Sequence, residues 1–247
     1  MALFEGTLRA DTLEMETTVT VSLPQNGQGS GGTPVLYLLH GLGDNHSTWV
    51  RRTNIDRYAN QEGIAVVMPE VQRGFYTDMA YGPAYFTYIT EELPRLAASL
   101  FRVTDDPART YIAGLSMGGY GALKAALRCP DRYAAAGCFS GAVDIRSRLK
   151  DPGGLMGPGE IKAVCGGEVA AEDDILMLTA KAVTTGRRLP ALYIACGLSD
   201  FLYEDNQRLR RQLEFLRIPH VYEEWAGAHE WEFWDRSVRQ FLQFIRE

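Results

Sequence analysis

The chain has 247 residues, of which 46% are hydrophobic and 23% are charged, and its net charge is −6. This balance is typical of a globular protein that is long enough to bury a sizeable core. The acidic charge and the lack of a basic cluster argue against nucleic acid and against an anionic membrane as partners.

The N-terminal residues show no basic segment followed by an apolar one, and no apolar run approaches membrane-spanning length. Four cysteines occur without a Cys-x-x-Cys spacing: Cys129, Cys138, Cys165 and Cys196. Because Cys138 and Cys196 lie in apolar runs, free buried thiols are favoured over disulfides or a metal site. These features predict a cytoplasmic protein, and we expect no metal and no cofactor.

The first third of the chain reads as strands followed by an aromatic section. Residues 3–23 predict two strands, and the polar, glycine-rich residues 24–32 predict a mobile hairpin tip. Apolar runs at 34–40 and 64–69 predict strands that are buried on both faces. Residues 49–61, between these runs, predict one helix.

The section 70–88 is irregular and carries six aromatic side chains: Phe75, Tyr76, Tyr81, Tyr85, Phe86 and Tyr88. Such a section either lines a pocket or packs beneath a long loop, and the pattern leaves both alternatives open. Residues 88–101 predict a helix, which we expect Pro94 to kink or break.

A strand, a sharp turn and a helix are predicted across residues 111–127. The turn Gly114-Leu-Ser116-Met-Gly118 matches Gly-x-Ser-x-Gly, the nucleophile elbow, in which glycines allow strand and helix to approach closely. The alternative is a glycine-rich connection whose serine merely caps the helix. The flanking strand and helix favour a nucleophilic serine.

The remaining pattern alternates strands and helices. Strands are predicted at 134–140, 191–196 and 220–225, and helices at 205–216 and 231–245. This alternation after a leading hairpin predicts an α/β fold, a single domain over 1–247 with a mostly parallel sheet and helices on both faces. The breaker-rich residues 141–190 predict a small cap-like excursion at the carboxyl edge of the sheet.

Three residues at strand ends can form a catalytic triad. A serine hydroxyl needs a base, and the base needs a group that fixes its tautomer. His229 follows the last predicted strand and is the expected base, and Asp200 follows the strand before it. The order Ser116, Asp200, His229 is the one expected of α/β-hydrolases.

The competing residues are less well placed. His40 ends a strand and supports the turn that it begins, whereas His46 and His220 are expected to be structural or solvated. Asp200 has an alternative role as the N-cap of the next helix. Glu204 and Asp205 are rival acids, but they lie further into that helix.

Acyl transfer also needs two donors that point at the developing oxyanion. The backbone N–H of Met117 follows the nucleophile and is the first candidate. The N–H of Leu42, in the turn Gly41-Leu-Gly43, is the second, because the two glycines let that backbone approach a substrate.

These motifs resemble the esterase D-like group of α/β-hydrolases, and most closely its tributyrin esterase and feruloyl esterase branch. The resemblance covers nearly the whole chain and rests on His40-Gly-Leu-Gly with Trp49, on the elbow, on Ser199-Asp-Phe-Leu and on Gly227-Ala-His-Glu-Trp. It implies an eight-stranded sheet, a Ser-His-Asp triad and hydrolysis of short acyl or aromatic acyl esters. Relatives of this group include S-formylglutathione hydrolases and mycolyltransferases.

The expected ligand is a small-molecule ester. Aromatic side chains near the strand-end turns are predicted to form a bounded pocket: Trp49, Tyr76, Tyr81 and Trp231. We therefore expect preference for acetyl to butyryl esters, with some hydroxycinnamoyl esters accepted. The alternatives are a thioesterase and a non-catalytic binding protein on the same fold. Relatives commonly associate, so a homo-oligomer is compatible with the resemblance.

Overall fold

The computed structural model describes residues 2–25, 31–148 and 155–246. Within these ranges the chain forms one eight-stranded sheet in the order β1-β2-β4-β3-β5-β6-β7-β8. The strands are β1 (Ala2–Ala10), β2 (Met15–Leu23), β3 (Val35–Leu39), β4 (Ala65–Pro69), β5 (Thr110–Leu115), β6 (Ala135–Phe139), β7 (Ala191–Gly197) and β8 (Val221–Trp225).

Of these eight strands, only β2 runs against the others. The pairs β1–β2 and β2–β4 are antiparallel, and the strands from β4 to β8 pair in parallel. The predicted mostly parallel, eight-stranded α/β sheet is therefore confirmed.

Helices cover both faces of the sheet. They are α1 (Thr48–Arg52), α2 (Ile55–Glu62), α3 (Tyr85–Thr87), α4 (Leu93–Phe101), α5 (Met117–Arg128), α6 (Ile145–Arg148), α7 (Pro158–Cys165), α8 (Ile175–Thr185), α9 (Tyr203–Phe215) and α10 (Trp231–Phe244). Along β3, Leu36 and Leu38 join an apolar cluster with α1, α2 and α10. Val35 and Leu39 join the cluster on the opposite face, with α4, α5, α8 and α9. β3 is thus buried on both faces, as predicted.

The prediction of two N-terminal strands is correct, but the prediction that residues 24–32 form a hairpin tip is wrong. The turn between β1 and β2 falls at residues 11–14, where the Glu92 carboxylate accepts hydrogen bonds from Asp11 N (2.7 Å) and Thr12 N (2.8 Å). Because β2 and β3 are not neighbours in the sheet, the segment between them is not a hairpin connection. Residues 26–30 of that segment lie outside the described residues.

The helix predicted at 49–61 is divided into α1 and α2. The Thr53 hydroxyl bonds back to Trp49 O (2.6 Å), and the Asp235 carboxylate on α10 accepts from Asn54 N (2.7 Å). These two contacts end the first helix and begin the second.

The expected disturbance at Pro94 is present. A π-helical turn, Tyr88–Glu92, leads into α4, where Pro94 occupies the first turn and its missing N–H costs no hydrogen bond.

The excursion between β6 and β7 contains α6, α7 and α8. Its breaker-rich residues 151–154 lie outside the described residues. The longest helix, α8, buries Ile175 and Leu178 in the apolar cluster that it shares with α5 and α9. A covering role for this excursion stays a prediction.

Several polar residues follow parallel strands at the same edge. His40 follows β3, Ser116 follows β5, Ser140 follows β6 and Asp200 follows β7. His229 follows β8. Because carboxyl ends of parallel strands meet at one edge of a sheet, this edge is where a ligand site is expected. Within the described residues, no helix is long and apolar enough to cross a membrane.

Candidate active site

Ser116 occupies a strained turn between β5 and α5. Its φ of 52° and ψ of −115° lie outside the helical and extended regions, and such backbone typically costs about 1–3 kcal/mol. Its N–H donates to Phe139 O (2.8 Å), and its carbonyl accepts from Tyr120 N and Ala142 N (both 3.1 Å). Its side chain makes no capping hydrogen bond to α5. The alternative role as a helix cap therefore has no support.

The glycines on either side of Ser116 are required by contact. A Cβ on Gly114 would lie 2.5 Å from the Gly118 carbonyl carbon, and a Cβ on Gly118 would lie 2.7 Å from His40 O. Real Cβ atoms do not approach backbone so closely, so α5 can start against β3 and β5 only without these side chains. The close approach places the serine turn beside the turn that begins at His40.

Asp200 and His229 meet as the sequence predicts. His229 Nδ1 lies 2.9 Å from Asp200 Oδ2 and 3.1 Å from Oδ1. Because an ionised carboxylate only accepts, Nδ1 carries the hydrogen, and Nε2 on the far side of the ring keeps its lone pair and can accept a proton. This is the arrangement in which an acid fixes the tautomer of a base.

The electrostatics of Asp200 favour its ionised form. Burial raises the pKa of this carboxyl, but hydrogen bonds from His229, Leu202 N (2.8 Å) and Ser140 outweigh burial and hold the pKa below its ordinary value. The carboxylate is thus available to orient His229.

Ser140 is a contact that the sequence analysis missed. It is fully buried with a φ of 47°, and its N–H donates to Ala195 O (2.7 Å). Its hydroxyl accepts from Trp234 Nε1 (3.1 Å) and helps to lower the pKa of the Asp200 carboxyl. Its position after β6, at the same edge as Ser116 and Asp200, is the signal that could have identified it.

Two aromatic rings flank the His229 imidazole. The Trp234 ring meets it edge-on with centroids 4.8 Å apart, and the Phe201 ring lies at 4.6 Å with a tilt of 54°. Trp234 is buried, whereas Phe201 is exposed. The ring of His229 is therefore held from three sides by Trp234, Phe201 and Asp200.

The predicted oxyanion donors also lie at this edge. Leu42 is half-buried in the turn after β3, and Met117 is the first residue of α5. Neither N–H donates to a protein acceptor within the described part of the chain. Both donors are thus available to a ligand oxygen.

Buried side chains fix the backbone before Leu42. His40 Nδ1 donates to Gly41 O (2.8 Å), and Tyr76 Oη donates to His40 O (2.9 Å). In a trans peptide the N–H points away from the preceding carbonyl. Anchoring Gly41 O therefore fixes the direction of the Leu42 N–H.

The four residues predicted to line a pocket have different environments. Trp49 and Tyr76 are completely buried, and Trp49 Nε1 bonds to Leu39 O (3.0 Å). This differs from the expectation, because side chains so placed can support the edge of the sheet but cannot contact a ligand. Trp231 is half-buried against Trp49, and Tyr81 is exposed, so a lining role stays a prediction for these two.

The rival residues have other partners. His46 Nδ1 pairs with Thr20 Oγ1 (2.8 Å), and His220 Nδ1 donates to Ile218 O (2.8 Å). Asp205 pairs with an arginine of α6. The four cysteines are free, with Cys138 and Cys196 buried as predicted. Among the described residues, no cluster of His, Cys, Asp and Glu could hold a metal ion.

Comparisons with known proteins show which family the chain belongs to. The model of the Esterase family ("Putative esterase") matches residues 10–245. An acetyl esterase of Caldicellulosiruptor saccharolyticus is 28% identical over 265 residues, which cover 99% of this chain and 98% of that protein.

Two solved structures from Staphylococcus aureus are similar over the full length. The fluorophosphonate-binding serine hydrolase FphF is 30% identical with a TM-score of 0.93, covering 100% of this chain and 98% of that one. The S-formylglutathione hydrolase FrmB is 31% identical with a TM-score of 0.90, covering 100% and 99%. The chain therefore belongs to the Esterase family, as an esterase D-like serine carboxylic ester hydrolase with the α/β-hydrolase fold.

Proposed function

We propose that this esterase hydrolyses short-chain acyl esters through an acyl-enzyme on Ser116, with His229 as the base and Asp200 as the residue that orients it. The observation that carries the proposal is the paired contact of His229 Nδ1 with both oxygens of a buried, ionised Asp200. It leaves Nε2 for the serine hydroxyl, at the edge where Ser116 is held in a strained turn.

Acylation follows from these positions. His229 Nε2 takes the hydroxyl proton as Ser116 Oγ attacks the ester carbonyl carbon. The carbonyl oxygen gains negative charge, and the N–H groups of Leu42 and Met117 stabilise it. Asp200 stabilises the imidazolium that forms. The imidazolium then returns its proton from Nε2 to the leaving alcohol oxygen as the carbon–oxygen bond breaks.

Deacylation repeats the sequence with water. His229 Nε2 takes a proton from water, whose oxygen attacks the acyl carbon, and the same two N–H groups hold the second oxyanion. The imidazolium then protonates Ser116 Oγ, and the carboxylic acid leaves. The residues end in their starting protonation states, so no cofactor is needed.

A thioester is the second candidate substrate. The similarity to the S-formylglutathione hydrolase favours it, and the proposed steps are the same when a thiol leaves. A panel of acetyl and butyryl esters, hydroxycinnamoyl esters and S-formylglutathione, assayed side by side, distinguishes the candidates. Activity confined to S-formylglutathione would overturn the ester proposal and assign a thioesterase.

The proposed nucleophile is tested by single and double substitution. Ser116→Ala and His229→Ala should each lower turnover by about four to six orders of magnitude, and the double variant should lose little more, because triad residues act as a unit. The intact mass after fluorophosphonate treatment should increase by one adduct in the wild type and not in Ser116→Ala. Near wild-type turnover of either single variant, or labelling of Ser116→Ala, would contradict the assignment.

A further inference from the structure

Phe201 differs from the other residues around His229 because its ring packs on the imidazole and is open to solvent. It is 53% exposed, although it follows the buried Asp200 directly in the chain. Large apolar side chains beside a reactive group and exposed to solvent are common in ligand sites. The ring packs on the imidazole of His229 but takes no part in the proton transfers described above.

The backbone at Phe201 is fixed on both sides. The Arg148 guanidinium on α6 donates to Phe201 O (3.0 Å) and pairs with Asp205 (2.6 Å). On the other side, Leu202 N donates to Asp200 Oδ1 (2.8 Å). The ring itself lies between His229, at 4.6 Å, and the Arg148 guanidinium carbon, at 5.9 Å from the ring centroid. The exposed ring is therefore a pre-formed surface.

The proposed proton transfers indicate which part of a substrate contacts the exposed ring of Phe201. His229 Nε2 must protonate the leaving alcohol oxygen, so the alcohol lies within hydrogen-bond reach of the imidazole. The acyl oxygen instead points to the N–H groups of Leu42 and Met117. A ring in contact with the imidazole therefore borders the alcohol side of the site.

We propose that Phe201 is a specificity-determining residue that contacts the leaving alcohol and favours esters of flat, aromatic alcohols. This inference rests on the proposed roles of Ser116 and His229. Aromatic rings pair in offset or edge-on arrangements, and an exposed ring offers one face for such a pair. A small alkyl alcohol gains nothing from that face.

Three acetate esters test the proposal, because they share one acetyl-enzyme and differ only in the alcohol: phenyl, cyclohexyl and methyl acetate. Phe201→Ala should lower kcat/KM for phenyl acetate about ten-fold more than for methyl acetate. The loss of kcat/KM for cyclohexyl acetate should be smaller than the loss for phenyl acetate. Comparing each ester across variants removes the intrinsic difference in leaving-group reactivity. Any effect of the substitution on deacylation is common to the three esters, because they share one acetyl-enzyme, and it does not enter the comparison of their kcat/KM values.

Phe215→Ala is the matched control, because Phe215 is 86% exposed at the end of α9. It should leave all three kcat/KM values unchanged. An equal loss for the three esters in Phe201→Ala, or an equal loss for phenyl and cyclohexyl acetate, would overturn the proposal. Wild-type protein that hydrolyses none of the esters would instead refute the proposed function.

Discussion

Asp200 and Asp205 lie close together in the sequence, but their surroundings give the two carboxylates different roles. Asp200 is fully buried and meets His229 Nδ1 at 2.9 Å. Asp205 meets Arg148 Nε at 2.6 Å, and burial raises the pKa of its carboxyl even though the arginine opposes this effect. Only the first carboxylate can set the tautomer of the base.

Exchanging each acid for its amide separates these roles. Asp200→Asn should lower turnover roughly 10⁴-fold while the fold is retained, because the amide favours the wrong imidazole tautomer. Asp205→Asn should change turnover little. Turnover and circular dichroism of the two variants check this expectation. A larger loss in Asp205→Asn would mean that the orienting acid has been misassigned.

Ser140 and Trp234 connect the surroundings of the orienting acid to those of the base. The Ser140 hydroxyl accepts from the indole N–H of Trp234 and helps to lower the pKa of the Asp200 carboxyl, and the Trp234 ring packs on His229. One indole thus contacts the base directly and is hydrogen-bonded to a residue that favours the ionised form of the acid.

At the scale of elements, Lys124 ties the helix that follows Ser116 to two other segments. Lys124 is fully buried, and its Nζ donates to Thr77 Oγ1 (2.7 Å) and Asp173 Oδ1 (3.0 Å). The rings of Phe86 and Tyr120 lie 5.1 Å from the ammonium. The aromatic section and the excursion are therefore both fastened to α5 through one charged group.

This buried lysine predicts a pH dependence of stability. Burial lowers the pKa of Lys124 to about 8, and Asp173 only partly opposes it. Between about pH 8 and the unfolded value near 10.4, the unfolded state binds more protons than the folded state. The free energy of unfolding should therefore rise with pH in this window, by at most about 1.4 kcal/mol per unit.

Lys124→Met removes the titrating group and keeps an unbranched side chain. The free energy of unfolding, measured with urea from pH 7 to 10, should rise for the wild type relative to this variant only above about pH 8. Other titrating groups cancel in the difference. A difference that is flat with pH, or that falls, would show that the lysine is not held as the structure places it.

Local pattern predicted the strands, the elbow and the Asp200–His229 pair. This was possible because buried strands read as apolar runs, and because parallel strands bring their following turns to one edge. The burial of Trp49 and Tyr76, and the contact of Ser140 with Trp234, depend on residues far apart in sequence. Periodicity carries no signal for such contacts.

At the scale of the whole molecule, the architecture limits the length of acyl chain that the protein can shield from solvent. The longest helix of the excursion, α8, has its buried face on the core, and Gln212 of α9 donates to Thr179 of α8 (2.7 Å). Tyr120 Oη of α5 also donates to Asp173 O (2.7 Å). The described part of the excursion is thus fastened to the body of the protein, and the buried face of its longest helix is not available to cover a long acyl chain.

We therefore expect activity to depend on the length of the acyl chain. Each methylene that finds room can contribute about 0.8 kcal/mol, or about four-fold in kcat/KM, and each one beyond the pocket contributes nothing or clashes. On p-nitrophenyl esters, kcat/KM should peak between acetate and butyrate and fall by octanoate. The alcohol is constant in this series, so contacts of the leaving group cancel. A steady rise through dodecanoate would contradict a bounded acyl site and indicate an open, lipase-like groove.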